Sequence, residues 1–140
     1  MECAYCTKVA HEGRTVAENE LAWAFLTNIP ITPGHTLVVP KRCVPDVDSL
    51  TDDERLAVLS LASEMRERLR KALGAEGFNM AWNEGEMAGQ AVPHLHLHIV
   101  PRKEGDTGIY EYDPRKFLYR PGSREVSPDA ELEAVASLLM

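Results

Sequence analysis

The sequence predicts a single domain that mixes β-strands with two helices. Three observations carry this expectation: short β-branched runs punctuated by glycine and proline, one long amphipathic stretch between cap residues, and a length of 140 residues. Such a length holds one hydrophobic core and is too short for two. No internal repeat or low-complexity tract competes with this reading.

Residues 14–19 and 21–27 read as the strands of a hairpin around Glu18-Asn19-Glu20. Residues 28–34 form a loop, because Pro30 and Pro33 cannot donate to a ladder, and residues 36–40 resume as a β-branched strand. Thr51-Asp52-Asp53-Glu54 has the form of a capping box and starts a helix. Leu56, Leu59, Ala62, Met65, Leu69 and Leu73 recur at helical spacing as its apolar face, and Gly74 ends it. Residues 77–83 follow as a strand, residues 84–90 as a glycine-containing loop, and residues 94–100 as a strand closed by Pro101. Residues 102–126 are polar and broken by glycine and proline, yet carry Tyr110, Tyr112, Phe117 and Tyr119. Their length suits a flap, an interface arm or a disordered stretch. Ser127 offers an N-cap and Pro128 a first helical position, with Leu132, Val135, Leu138 and Leu139 on one face of a terminal helix.

Composition narrows the function. Lys plus Arg number 15 against 22 Asp plus Glu, a formal charge of −7. Such a surface repels a nucleic-acid polymer but leaves room for a small phosphorylated ligand in a local pocket. A 44% hydrophobic content is that of a folded chain. No run approaches the ~20 apolar residues of a membrane span, and Met1-Glu2-Cys3 lacks the basic and apolar blocks of an export signal, so a cytoplasmic location without membrane contact is expected.

The informative segment is Gly89-Gln90-Ala91-Val92-Pro93-His94-Leu95-His96-Leu97-His98-Ile99-Val100, which holds three of the five histidines. In a strand, alternate side chains share a face, so His94, His96 and His98 line one side while Leu95, Leu97 and Ile99 enter the core. At ~3.3 Å per residue, His94 and His98 project from points roughly 13 Å apart, so at most two can share a metal ion. At least one remains for nucleophilic attack or proton transfer. Burying three imidazoles without partners would cost about 1–3 kcal/mol per unsatisfied group, which argues for a use. Gly85 and Gly89 suit a close backbone approach to an anion, although glycines before a strand also serve simply as turn residues.

Cys3, Cys6 and Cys43 cannot all pair within one chain, and Cys3-x-x-Cys6 points to metal or redox chemistry. If the strand over residues 36–40 lies beside the histidine strand, Cys43 approaches His94. Cys3, Cys6, Cys43 and His94 would then form a closed Cys₃His set of the kind that holds structural zinc.

With these residues assembled, the chain resembles the histidine-triad (HIT) superfamily, whose signature His-φ-His-φ-His-φ-φ reads here His94-Leu95-His96-Leu97-His98-Ile99-Val100. Ala24-Phe25-Leu26, Pro33-Gly34-His35-Thr36-Leu37-Val38-Val39-Pro40-Lys41, Asn83-Glu84-Gly85 and Ala88-Gly89-Gln90 also recur in family order, over about residues 3–103. The resemblance implies an α+β fold with an antiparallel sheet of about five strands, one long helix and a C-terminal helix. It implies one HIT domain over residues 1–140, with its core in 1–103, the aromatic-bearing segment in 104–126 and the terminal helix in 127–140. Two such subunits usually pair into a homodimer with a continuous sheet.

By the family pattern His96 is the nucleophile toward the α-phosphate, giving a nucleotidyl-histidine. His98 and Asn83 contact the phosphate, Gln90 sits beside the bridging oxygen and leaving group, and the His94 carbonyl fixes the His96 tautomer. The implied nucleotide site comprises Thr27, Asn28, Asn83, Gly89, Gln90, Ala91, His96 and His98. Members that begin with Cys-x-x-Cys carry zinc, and Cys43 stands where a histidine ligand is usual. Thr27 with Asn28 replaces the usual ribose-contacting Asp or Asn, and Ala91 stands where Ser or Thr is common. The flanks Ala88-Gly89-Gln90 and Val100-Pro101-Arg102-Lys103 resemble the fragile-histidine-triad branch, which cleaves dinucleoside polyphosphates. The expectation is a nucleotidyl hydrolase or transferase acting on a diadenosine polyphosphate, with structural zinc (Zn2+). A nucleoside phosphoramidase and a non-catalytic nucleotide-binding module are the alternatives.

Overall fold

A computed structural model describes Cys3, Tyr5, Cys6, residues 11–106 and residues 126–140. Strands β1 (Thr15–Glu18), β2 (Ala22–Leu26), β3 (Thr36–Pro40), β4 (Gly77–Ala81) and β5 (Leu97–Arg102) form one five-stranded antiparallel sheet in the order β1-β2-β3-β5-β4. Helix α1 (Asp52–Leu73), helix α2 (Asp129–Leu139) and a 3-10 turn at Glu86–Ala88 accompany the sheet. The α+β expectation therefore holds, down to the strand count. Tyr110, Tyr112, Phe117 and Tyr119 lie outside the described residues.

Asn19 closes the first hairpin. Its Oδ1 accepts from the backbone N–H groups of Leu21 and Ala22, and its amide donates to the Ala57 carbonyl at 2.9 Å, fastening the turn to α1. The ends of α1 are those the sequence announces. Thr51 Oγ1 accepts from Glu54 N–H at 3.1 Å while Glu54 Oε1 accepts from Thr51 N–H at 2.9 Å, and Gly74 takes the left-handed conformation at φ 69°.

The buried stripe of α1 differs from the expected one: it runs through Val58, Leu61, Ala62, Met65 and Leu69, whereas Leu56 and Leu59 are 66% and 60% exposed. At about 100° per residue, Leu56 lies nearly opposite that stripe and Leu59 on its flank. The stripe packs on Ala22, Ala24, Leu26, Val38, Leu97 and Ile99, which point to one face of the sheet. Helix α2 adds Leu132, Ala136 and Leu139; Leu138 is exposed, because the buried spacing of four then three residues bypasses it. Pro128, not Ser127, holds the cap position, and the Ser127 N–H donates to the Asn28 carbonyl instead.

Two corrections concern the histidine strand. Its ladder begins at Leu97, not His94, because Leu95 N–H donates to Val44 O at 2.7 Å in the loop after β3 instead of continuing the β3 pairing. Nor does Pro101 close the strand, which runs on to Arg102. The Pro101 carbonyl accepts from Thr32 Oγ1 at 2.8 Å, so the edge that would have needed its N–H is the β3 side, where the ladder has already ended at Thr36 and Ile99.

Register places Phe25, Leu37, His98 and Ala81 side by side across β2, β3, β5 and β4. This row belongs to the face opposite α1, where Phe25, Leu37 and Val39 form a second cluster with Tyr5 and Trp23. Among the described residues no helix is long and apolar enough to cross a membrane.

Candidate active site and metal centre

The imidazole tautomers follow from partners that have no choice of role. A carbonyl can only accept, so His96 Nδ1 carries the proton it donates to His94 O at 2.9 Å, and His96 Nε2 keeps its lone pair. A backbone N–H can only donate, so His35 Nδ1, which accepts from Ile31 N–H at 3.0 Å, is unprotonated. His35 Nε2–H then donates to His98 Nδ1 at 2.9 Å, which leaves the proton of a neutral His98 on Nε2. The His96 and His98 rings stand 5.1 Å apart at 65° and are only 8% and 7% exposed, so each reaches solvent by an edge. One ring thus offers a nucleophilic nitrogen and its neighbour a hydrogen-bond donor.

His35 reaches His98 because Gly34 lets the chain pass beneath the end of α1. Gly34 has φ +91°, and a Cβ there would lie 2.6 Å from Leu73 Cδ1 and 2.9 Å from Leu69 Cδ2. His35 was missed as a site residue. Parity could have found it, since residues 35 and 37 share a face and Leu37 pairs with His98.

His94 does different work. Its Nε2–H donates to Pro40 O at 2.6 Å, turning Nδ1 toward Cys3 Sγ at 3.0 Å and Cys6 Sγ at 3.7 Å. Burial pushes its pKa down, partly offset by the Pro40 hydrogen bond, and so favours the neutral ring that a metal ligand must be. The ligand atoms of Cys3, Cys6, Cys43 and His94 all lie within 4.8 Å of one another. Small side-chain movements would close such a set onto Zn–S and Zn–N bonds of about 2.3 and 2.0 Å. A thiol-rich set with a histidine held at its other nitrogen by the Pro40 carbonyl fits zinc. Among the thiols, burial raises Cys3, but hydrogen bonds from Cys6 and the Tyr5 backbone outweigh it and the net shift is downward. Cys6, hydrogen-bonded to Cys3 and partly desolvated, is pushed up to about 12.

The remaining expected site residues are placed unevenly. Asn83 is buried two residues beyond Ala81, the partner of His98. Thr27 is buried at the end of β2, its Oγ1 accepting from Ile29 N–H and its own N–H donating to His35 O. Asn28 and Ala91 are exposed. The N–H groups of Gly89 and Gln90 donate within their own loop, to Glu86 O and Gly85 O, so the phosphate cradle suggested by the glycines is closed on itself at those positions. The Gln90 side chain accepts from Gly85 N–H at 2.7 Å and donates to Pro45 O at 2.9 Å, joining two loops.

Tyr5 is a second residue that sequence reasoning passed over. Its ring stands 5.2 Å from that of His96 and 5.2 Å from that of Phe25. Its position between two thiols of a ligand set was the available signal.

Comparison with known proteins identifies the family. The family model described as HIT domain matches residues 9–105. An uncharacterised 16.1 kDa HIT-like protein of Mycoplasma pneumoniae is 41% identical over 116 residues, covering 81% of this chain and 80% of that protein. A bis(5'-adenosyl)-triphosphatase of Dictyostelium discoideum is 33% identical over 122 residues, covering 86% of this chain and 78% of that protein. A zinc-bound histidine triad family protein from Mycobacterium smegmatis superposes with a TM-score of 0.72 at 28% identity, covering 99% of this chain and 94% of that one.

Proposed function

The chain belongs to the HIT domain family, and from that premise we propose that it is a nucleotidyl hydrolase or transferase cleaving a diadenosine polyphosphate at the α-phosphate through His96. The observation that carries the reading is the His96 tautomer: Nδ1–H is committed to His94 O, which leaves Nε2 as a nucleophile beside the His98 donor. A relative named for bis(5'-adenosyl)-triphosphatase activity supports the substrate class. In the first step the Nε2 lone pair forms a P–N bond to the α-phosphorus as the anhydride P–O bond breaks and the second nucleotide leaves with those electrons. In the second, water forms a new P–O bond, the P–N bond breaks, its electrons return to His96, and the water proton passes to solvent.

His98 Nε2–H and Asn83 stabilise charge on the phosphoryl oxygens in this reading. Thr27, Asn28, Gly89 and Ala91 border the nucleotide. Gln90 serves the leaving oxygen, which requires its amide to exchange the Gly85 and Pro45 bonds for the substrate. Cys3, Cys6, Cys43 and His94 would hold a zinc ion in a structural role. A homodimer joined along β4 completes the reading: β4 ends the strand order, and Trp82 and Leu59, 47% and 60% exposed, line an apolar groove beside it.

Acid quenching during turnover of diadenosine tri- or tetraphosphate should trap a nucleotidyl group on His96 by mass spectrometry. His96→Ala should bind nucleotide, keep its thermal midpoint and lose turnover by about 10³-fold or more. Undiminished turnover in that variant would remove the nucleophile from this scheme. A parallel panel of phosphoramidates identifies the scissile bond the protein prefers.

A further inference from the structure

We propose that Cys43 is an oxidation site: a peroxide attacks its sulfur, Cys3 or Cys6 closes a disulfide onto it, and the metal centre gives up its ion. The inference rests on the reading of Cys3, Cys6, Cys43 and His94 as a zinc site, and it does not depend on the reaction assigned to His96.

The chain has three cysteines, and all of them stand as free thiols in one cluster. Their sulfurs and a His94 ring nitrogen lie within 4.8 Å of one another. A disulfide needs about 2.05 Å between sulfurs, so side-chain rotation has only a short gap to close. One place therefore holds both a sulfur to take the oxidant and a second sulfur to resolve the product.

Access separates the three thiols. Cys43 is exposed, whereas Cys3 and Cys6 are half-buried. Susceptibility to oxidation follows thiolate character and exposure. Zinc ligation holds all three sulfurs as thiolates, so exposure ranks them and Cys43 comes first. The loop that carries it is fastened on both sides. Before it, Arg42 donates to Glu54 and to Ser49 O; after it, Val44 O accepts from Leu95 N–H at 2.7 Å and Pro45 O from Gln90 Nε2 at 2.9 Å. These bonds keep an exposed thiol beside two less accessible ones.

The chemistry balances in two steps. The Cys43 thiolate attacks one peroxide oxygen: an S–O bond forms, the O–O bond breaks and hydroxide leaves. Sulfur is oxidised to the sulfenic acid and the peroxide is reduced. The Cys3 or Cys6 thiolate then attacks the Cys43 sulfur, forming the S–S bond as the S–O bond breaks and a second hydroxide leaves. Protons from solvent turn both hydroxides into water. One thiolate and one imidazole remain, too few for a closed zinc site. A dithiol reductant reverses the disulfide by exchange and restores the set.

The test treats zinc-loaded full-length protein, wild type and Cys43→His, with a small excess of hydrogen peroxide. A chromophoric chelator reads zinc release. Peptide mapping after alkylation locates the disulfide, and dimedone in a parallel sample traps sulfenic acid. Wild type should release zinc, carry the dimedone adduct on Cys43 and yield a disulfide from Cys43 to Cys3 or Cys6. Dithiothreitol with added zinc should reverse the release and the disulfide. Cys43→His keeps four ligands but has no sulfur at the exposed position, so its release should be slower by at least about tenfold.

A disulfide between Cys3 and Cys6 with Cys43 still reduced would overturn the proposal, as would equal release rates in wild type and Cys43→His. If the variant does not load with zinc, the wild-type adduct and disulfide map decide alone. Wild type that takes up no zinc before peroxide would overturn the metal reading and the release with it, and the map then decides the part of Cys43. Full turnover in His96→Ala removes only the reaction proposed above.

Discussion

Cys43 stands on the loop after β3 as an exposed residue, in a set whose other members are half-buried or buried. A thiolate adds charge and softness that a neutral imidazole lacks, so zinc affinity should depend on it directly. Cys43→Ser should weaken zinc binding at least about tenfold in competition with a chromophoric chelator, and lower the thermal midpoint of zinc-treated protein. Cys43→His should recover most of both. Equal zinc retention in the serine variant would show that three ligands suffice. The Cys3, Cys6, Cys43 and His94 cluster was legible at residue scale because thiols are few and the histidine parity names a strand face. The two residues that read poorly, Tyr5 and His35, meet the triad rings through contacts made only after folding: one through a ring packed against His96, the other through a glycine lacking a side chain that would collide with α1.

Helix α1 begins with a carboxylate that has two duties. Glu54 completes the capping box and also pairs with Arg42, at 2.7 Å to Nη2 and 3.1 Å to Nε. Arg42 donates as well to Ser49 O, so the start of α1 is tied to the loop that carries Cys43. The Arg42 guanidinium first, and the Thr51 backbone second, hold the Glu54 carboxyl at about 2 against an ordinary 4.5. A folded value below the unfolded one means the unfolded chain binds more protons between those limits. The stabilisation is therefore complete above about pH 4.5 and lost as pH falls toward 2. Glu54→Gln should cost on the order of 2 kcal/mol at pH 7, a figure discounted because Arg42 is half exposed. The gap between variant and wild type in urea unfolding should narrow as pH drops from 4.5 to 3. A gap independent of pH would assign the loss to capping geometry alone. Both ends of α1 were legible, since caps are local chemistry. Its face was not, because Leu56 and Leu59 fit a helical period as well as Val58 and Leu61 do. Only the sheet on the other side decides between such stripes.

At the scale of the molecule, the described residues put a sheet edge and an apolar surface in the same place. At the other end of the sheet, β1 packs with α2, whereas β4 follows β5 as the last strand and adjoins the groove lined by Val47, Leu50, Leu59 and Trp82. A terminal strand beside exposed apolar side chains favours a two-fold partner, because the same strand on a second copy can pair antiparallel with it. The charge of −7 per chain opposes that pairing, so the attraction must come from the ladder and the apolar contacts. Wild-type protein should therefore sediment at twice the 15.6 kDa chain mass, and added salt, by screening the repulsion, should tighten the association. Leu59→Glu combined with Trp82→Glu should leave a folded single chain. The triad lies on the sheet face opposite α1, so Leu59→Glu alone should change per-chain turnover by no more than a few-fold. A wild type that stays at one chain mass at micromolar concentration and high salt would leave β4 a true free edge.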